Sequence, residues 1–178
     1  MTSSQSIGTG RLLVRPVRPD EYERAGDVVV AAYRAEGYLT FPDGTEDHAY
    51  ATKLADVATR AEDSEVLVVE LDGSIVGTVT WCAAGSTMRE RATRDDQGEF
   101  RMLGVDPAAA GLGVGTAMVR WCLDRARADG LREVLISSLP EMVPAHRLYA
   151  QHGFVRREDL DWSPVPGTQL IGFSRTID

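Results

Sequence analysis

The amino-acid sequence predicts an α+β fold, with a mixed and mostly antiparallel sheet of six to seven strands flanked by about four helices. Residues 65–83 hold two strand-like runs around Asp72-Gly73, a dipeptide typical of a tight antiparallel hairpin. Residues 99–138 run in the order strand, helix, strand, which predicts a right-handed crossover and hence two parallel strands. We expect this parallel pair to lie at the centre of the sheet and to splay apart.

The elements form a single domain that we expect to cover residues 11–178, after a flexible tail at residues 1–10. Residues 38–45 combine aromatic and turn-forming residues, and they could line a substrate mouth or only cover the core. Residues 85–98 are rich in charge, and we expect them to be solvated and mobile. The expected strands are residues 12–17, 65–71, 74–83, 99–105 and 133–138, one that starts at residues 154–156 and ends before a proline-rich connection at residues 162–167, and residues 168–176. The expected helices are residues 21–34, 46–61, 114–129 and 142–151.

Composition argues against several classes of protein. The 178 residues carry a formal net charge of -8, so we expect no binding to a nucleic-acid backbone. No apolar stretch is long enough to span a bilayer, and we expect a cytoplasmic protein with no membrane partner. Cys82 and Cys122 stand apart and are expected to be buried fillers, and the three histidines lack metal-ligand spacing, so we expect no metal.

A glycine-rich turn stands where a strand ends and a helix begins. The strand closes at Asp106-Pro107, and the turn AGLGVG at residues 110–115 opens the helix. At a helix N-terminus the backbone N–H groups are unpaired and the dipole is positive, and glycines leave no side chain in the way of an anion. The turn therefore predicts a phosphate site, although the glycines could also serve only a tight connection.

Two common nucleotide motifs do not fit this turn. A P-loop needs a lysine after its last glycine, whereas Thr116 follows Gly115 and Lys53 is the only lysine of the chain. A dinucleotide fingerprint needs a third glycine at the residue 116 position and an acid at the end of the next strand, but Glu133 stands at the beginning of that strand. The predicted ligand is therefore an anion of another kind.

A second motif lies in PAHRLYAQHGF at residues 144–154. Ala145, Leu148 and Tyr149 share one face of a short helix, and the small Ala145 leaves room where Tyr149 projects. By composition alone, Tyr149 could be a core residue with a satisfied hydroxyl or a catalytic acid.

Taken together, the two motifs resemble the GNAT superfamily of N-acetyltransferases. The first matches a strand ending in V-D-P with an R/Q-x-x-G-x-G/A turn, and the second matches A-x-x-x-Y-x-x-x-G-F. The resemblance implies a GNAT fold and direct transfer of an acetyl group from acetyl-CoA to a primary amine, on a small molecule or a protein N-terminus. It also implies that the chain could form a homodimer.

The resemblance also implies roles for individual residues. Tyr149 would protonate the leaving thiolate, and Glu99 would accept the proton of the amine through water, although Glu99 could also be a solvated carboxylate at the strand entry. Ala110 departs from the Arg or Gln that is usual at the start of the turn, which removes one side-chain contact to phosphate. The implied cofactor site comprises Leu103, Gly104, Val105, Ala110, Gly111, Leu112, Gly113, Val114, Gly115, Thr116, Ala145 and Tyr149.

The chemistry requires both proton transfers, because an amine must lose a proton before it attacks a thioester and the thiolate gains one as it leaves. A main-chain N–H of residues 103–105 could stabilise the oxyanion. An alternative function is a catalytically silent acyl-CoA-binding regulatory module, and transfer of a longer acyl group is another. The acceptor itself is not determined by the sequence.

Overall fold

The computed structural model describes residues 11–178, and the predicted tail at residues 1–10 lies outside them. The strands are β1 (Leu12–Pro16), β2 (Glu65–Leu71), β3 (Ser74–Cys82), β4 (Gln97–Val105), β5 (Glu133–Ser138), β6 (Val155–Trp162) and β7 (Leu170–Thr176). The helices are α1 (Tyr22–Ala35), α2 (His48–Ala55), α3 (Val57–Arg60), α4 (Val114–Ala128) and α5 (Val143–Gln151), with short 3-10 turns at Pro19–Glu21 and Pro107–Ala109.

The strands form one sheet in the order β1-β2-β3-β4-β5-β7-β6. Every neighbouring pair is antiparallel except β4 and β5, which are parallel. The predicted fold class is therefore confirmed. The β2–β3 hairpin turns at Asp72 and Gly73, both of which have positive φ as a type I′ turn requires.

Helices cover both faces of the sheet. On one face, α4 and α5 bury the larger core cluster, which includes Phe100, Met118 and Tyr149. On the other face, α1 lies directly on β4, since a Cβ at Gly104 would come within 2.9 Å of the Cα of Val29. Glycine at position 104 thus permits the close approach of helix and strand.

β4 and β5 separate soon after they pair. Their parallel register covers only Gln97–Glu99 against Glu133–Leu135. Farther along, Met102 has a φ of 52° and the register between β3 and β4 shifts, which marks a β-bulge in β4. The splay that we predicted is present, and it opens a cleft at the centre of the sheet.

Two elements differ from the sequence prediction. The helix expected at residues 46–61 is interrupted at Asp56, whose backbone is not helical and whose side chain accepts the N–H of Thr59 as the N-cap of α3. β6 begins at Val155, one residue after the predicted start, and runs along the edge of the sheet to Trp162, which the prediction placed in the connection that follows.

The segment expected to be solvated and mobile, residues 85–98, is instead fastened to β4. Oε2 of Glu99 accepts three consecutive backbone N–H groups, those of residues 90–92, each at 3.0 Å. Oε1 of Gln97 accepts those of Thr93 and Arg94. The prediction is wrong because it was based on the charged side chains of the segment, whereas the segment is held by its backbone N–H groups, which donate to side chains of β4. We call residues 88–96 the clasp loop.

Within residues 11–178, no helix is both long and apolar enough to cross a membrane. Over the same residues, no group of His, Cys, Asp and Glu side chains is arranged to hold a metal ion. Both cysteines are free and buried, as predicted.

Candidate active site

The gap between β4 and β5 forms a cleft with a volume of about 240 Å³. One wall is the edge of β4 from Phe100 to Val105, whose β5-facing backbone is left without a strand partner beyond Glu99. The opposite wall is β5 with the first turns of α5. Of the residues predicted to hold the cofactor, those that line the cleft are Leu103, Gly104, Val105, Gly115, Ala145 and Tyr149.

The glycine turn adjoins one end of this cleft. Gly111 and Gly113 have φ values of 78° and 83°, a region that favours glycine, and Gly113 is the N-cap of α4. No group in the described chain accepts a hydrogen bond from the amides of Gly111, Gly113, Val114, Gly115 or Thr116. These unpaired donors at the positive end of a helix fit the predicted phosphate cradle.

The side chains of the turn contribute little to a ligand site. Ala110 and Leu112 are exposed, whereas Val114 is buried in the core and points away from solvent. Gly115 links the turn to the cleft, since a Cβ at that position would lie 3.0 Å from Leu148 Cδ2 and 3.9 Å from Val105 Cγ2. The turn and the cleft therefore form one continuous surface.

Tyr149 closes the middle of the cleft. Its ring is buried, with 5% exposure, and packs against Phe100, Phe154 and Phe173 at centroid distances of 5.9, 5.9 and 6.1 Å. Its hydroxyl forms no hydrogen bond with any residue that the structure describes. Burial raises the pKa of Tyr149 well above its usual value, so the phenol stays protonated at neutral pH. The ring is a core residue, while the hydroxyl remains available to a ligand.

Glu99 does not line the cleft. Its side chain is fully buried beneath the clasp loop, and one carboxylate oxygen is occupied by three amides while Oε1 has no partner within residues 11–178. Neither a solvated carboxylate nor direct contact with an amine in the cleft agrees with this geometry. The structure thus does not bring Glu99 and Tyr149 together around the cleft.

Two charged residues that the sequence analysis did not single out lie beside the cleft. Arg101 lines it, and its Nη2 lies 2.5 Å from Oε1 of Glu90, while Nη1 donates to the carbonyl of Met88. Desolvation raises the pKa of Glu90, and the nearby Arg101 partly opposes this. The sequence does mark Arg101 in one way, because it is the only charged residue in the apolar run of residues 100–105.

A second cavity, of about 430 Å³, adjoins the cleft on the α2 side of the sheet, and we call it the loop cavity. It lies between residues 38–50, the clasp loop and the β6–β7 connection, and Tyr38 and Arg101 line both spaces. Residues 38–45 cover the core and also line a cavity, because Leu39 is buried in the core while Tyr38 and Phe41 face the cavity.

Unpaired amides at the N-terminus of a helix form a site that can bind a phosphate group, and here that site adjoins the cleft between the splayed strands. Sequence comparison agrees with the predicted resemblance. The profile of the Acetyltransferase (GNAT) family matches residues 19–154, and the chain belongs to this family.

The chain is also similar to individual proteins. It is 32% identical over 144 residues to a mycothiol acetyltransferase of Cellulomonas flavigena, covering 72% of this chain and 41% of that protein. It is 33% identical over 147 residues to a mycothiol acetyltransferase of Sanguibacter keddieii, covering 80% and 43%. The chain thus spans about two fifths of the length of these curated relatives. A Salmonella typhimurium protein solved with its cofactor acetyl-CoA matches in fold, with a TM-score of 0.64 and 15% identity over 94% of both chains.

Proposed function

We propose that this chain transfers an acetyl group from acetyl-CoA directly to the primary amine of an acceptor. The observation that carries the proposal is the continuous surface of unpaired turn amides, open β4 edge and free Tyr149 hydroxyl. Family membership, the relatives named mycothiol acetyltransferases and the fold shared with a protein solved with acetyl-CoA support it.

The glycine turn would hold the pyrophosphate of acetyl-CoA through the amides of Gly111 and residues 113–116, since the N–H of Leu112 donates to the carbonyl of Ala109. The helix dipole favours such an anion, and the donors need no side chain to be rearranged. The pantetheine arm would lie along the open edge of β4 at Leu103–Val105, where backbone groups are free to pair with its amides. Acetyl-CoA supplies the activated thioester, and this chain binds and orients it.

Tyr149 would donate the proton that the departing thiolate needs. Because its raised pKa keeps the phenol protonated, the donor is in its working form throughout the neutral range. A backbone N–H of Leu103–Val105 would stabilise the negative charge that develops on the carbonyl oxygen. Acid and oxyanion donor would then act from opposite walls of one cleft.

Glu99 as the proton acceptor stays a prediction, and its surroundings favour a different role. We propose that Glu99 positions the clasp loop, since its carboxylate binds the backbone N–H of Glu90 and of the next two residues. Through this contact it would hold Glu90 beside Arg101 at the border of the two cavities. Glu99 would then influence catalysis without touching the acceptor.

Calorimetry with acetyl-CoA and a thiol-release assay across a panel of amines test the proposal. We expect binding with one site per chain and release of free CoA that depends on the amine. Absence of acetyl-CoA binding would overturn the whole proposal. Succinyl-CoA added as a competitor reports the acyl-chain preference.

A catalytically silent acyl-CoA-binding module is the second candidate. The observation in its favour is Ala110, which lies exposed at the turn and offers no side-chain contact to phosphate. Binding of acetyl-CoA without turnover of any amine would favour this candidate over the enzyme.

A further inference from the structure

The loop cavity, like the cleft that it adjoins, is walled mostly by apolar and aromatic side chains. These side chains come from separate segments of the chain. Its volume of about 430 Å³ is within the range of small-molecule sites. Because Tyr38 and Arg101 border both spaces, a ligand in the loop cavity would meet the acetyl group at their junction.

The rim of this cavity exposes two large apolar residues. Phe41 from the connection of α1 and α2 is 47% exposed, and Val165 from the connection of β6 and β7 is 56% exposed. A single exposed apolar residue is ordinary, but these two belong to different loops that line the same cavity. A ligand with an apolar body would remove both from water, which is favourable in proportion to the area buried.

The charges of the cavity fit one ammonium group. Oε1 of Glu90 contacts Arg101, while no residue of the described chain donates a hydrogen bond to Oε2. The other acidic residue, Asp47, is the N-cap of α2, where its Oδ1 accepts the N–H of Tyr50 at 2.9 Å. Glu90 is therefore the carboxylate placed to receive an amine next to Arg101, at the border with the cleft.

The same charges disfavour two other kinds of amine. Lys53 and Arg101 also line the cavity, so the further ammonium groups of a polyamine would meet like charge. The hydroxyls of an amino sugar would lose their hydrogen bonds to water against mostly apolar walls, at a cost for each unpaired group. An amine with an apolar body brings a single ammonium group near Arg101, where the carboxylate of Glu90 offsets the like charge, and its body has no hydrogen bonds to lose.

We propose that the acceptor is a small primary monoamine with an apolar or aromatic body, bound in the loop cavity with its ammonium group at Glu90. This inference rests on the proposed acetyl transfer and names the substrate class of the same site. The amine loses a proton to Glu90 or to water, its nitrogen forms a bond to the acetyl carbon, and the carbon–sulfur bond breaks. The products are the acetamide and CoA, whose sulfur takes up a proton.

The test compares phenethylamine, ethanolamine, glucosamine and spermidine as acceptors, with thiol release as the readout. We expect kcat/KM for phenethylamine to exceed that for ethanolamine by about tenfold or more, because the two differ mainly in apolar area. A higher kcat/KM for ethanolamine, glucosamine or spermidine would overturn the inference while leaving acetyl transfer intact. Absence of turnover with every amine would overturn both.

Two matched valine variants test whether the apolar body of the amine binds in the loop cavity. Val165→Ser should raise KM for phenethylamine about threefold to tenfold with little change in kcat, because it removes a rim contact. Val155→Ser is the control, since Val155 is 60% exposed on β6 and does not line the cavity. Equal effects of the two variants would overturn the assignment of the cavity.

Binding without turnover gives an independent readout. Calorimetry of phenethylamine with the CoA-saturated protein should show a Kd that Glu90→Gln weakens about tenfold, because a charge-assisted contact is lost. Circular dichroism checks that the variant is folded. An unchanged Kd in a folded Glu90→Gln protein would overturn the role of Glu90.

Discussion

Tyr149 combines a buried ring with a hydroxyl that is free to contact a ligand. Three phenylalanines hold the ring, so its removal would disturb the core, whereas loss of the hydroxyl alone would not. This separation of packing from chemistry makes the conservative change to phenylalanine informative.

Tyr149→Phe should lower kcat about 100-fold with an active amine, because a positioned proton donor contributes about this much to a rate. The free energy of unfolding should change little, since the hydroxyl bonds to no described residue. Steady-state kinetics and urea denaturation measure the two effects. Tyr22→Phe is the control, because Tyr22 packs against a separate cluster beside α1. Full turnover by Tyr149→Phe would remove Tyr149 from the mechanism.

Ala110 offers a gain-of-affinity experiment at the same scale. Its side chain is exposed at the start of the glycine turn, so a longer side chain can be introduced without entering the core. Ala110→Arg should tighten CoA binding about threefold to tenfold in low salt, and the gain should shrink at high salt as the charges are screened. Calorimetry at two salt concentrations measures both changes.

Ala108→Arg is the matched control for this change. It adds the same charge to an exposed position in the preceding 3-10 turn, two residues before Ala110. An equal gain from Ala108→Arg would show that general attraction, rather than a contact at position 110, explains the effect.

At the scale of elements, the clasp loop is held in place by side chains of β4. Glu99 and Gln97 together accept five backbone N–H groups, and Ala92 at the centre of the loop is buried. Since Arg101 also binds the carbonyl of Met88, three side chains of one strand hold the loop in place. The loop is thus part of the wall of the loop cavity rather than a free connection.

Glu99→Ala should lower the free energy of unfolding by about 3 kcal/mol, because it leaves buried amides without an acceptor. Glu99→Gln should cost less, since its amide oxygen can still accept these bonds. Urea denaturation measures both, and Asp95→Ala is the control because Asp95 is exposed on the same loop.

The pH dependence of turnover then separates positioning from direct catalysis. A positioning role predicts that Glu99→Gln retains measurable turnover and the acid limb of the wild-type pH profile. Loss of that limb in a stable Glu99→Gln protein would instead support Glu99 as the proton acceptor.

At the scale of the whole molecule, the splayed sheet has two openings that meet at Arg101 and Tyr38. The glycine turn adjoins the cleft on the α4 side, and the loop cavity lies on the α2 side. Under the proposed function, acetyl-CoA in the cleft and an acceptor in the loop cavity would meet at this border. Direct transfer would depend on the two reactants being held close together there.

At the β1 edge of the sheet, Arg15 donates two hydrogen bonds to the carboxylate of Glu21, at 2.8 and 2.7 Å. It also donates to the carboxylate of Glu70 on β2. The hydrogen bonds from Arg15 lower the pKa of Glu21 from 4.5 to about 2. Because the pKa of Glu21 is lower in the folded state than its unfolded value of 4.5, the ionised carboxylate stabilises the folded state at pH values above 4.5. This stabilisation is lost as the pH falls from 4.5 towards 2.

Glu21→Gln should therefore lower the free energy of unfolding by about 2 kcal/mol at neutral pH, and the difference from wild type should narrow by about pH 3. Urea denaturation at the two pH values measures it. Glu23→Gln, at an exposed position of α1, is the control. A difference that is constant with pH would show that the ion pair is not its source.

Local patterns in the sequence determined much of this protein. The order of elements, the hairpin at Asp72-Gly73, the positive-φ glycines of the turn and the helix that carries Tyr149 follow from residue spacing, because hydrogen bonding and steric limits act between near neighbours. The parallel pair followed from the handedness of one crossover.

Only the tertiary structure decided which side chains share a space. The three amides that bind Glu99, the pairing of Glu90 with Arg101 and the meeting of Phe41 with Val165 at one cavity join distant segments. Such contacts depend on burial and on the path of loops, which leave no periodic signal in the chain. For that reason the glycine turn at the start of α4 and the helix that carries Tyr149 could be predicted, whereas the surroundings of Glu99 and the wall of the loop cavity could not.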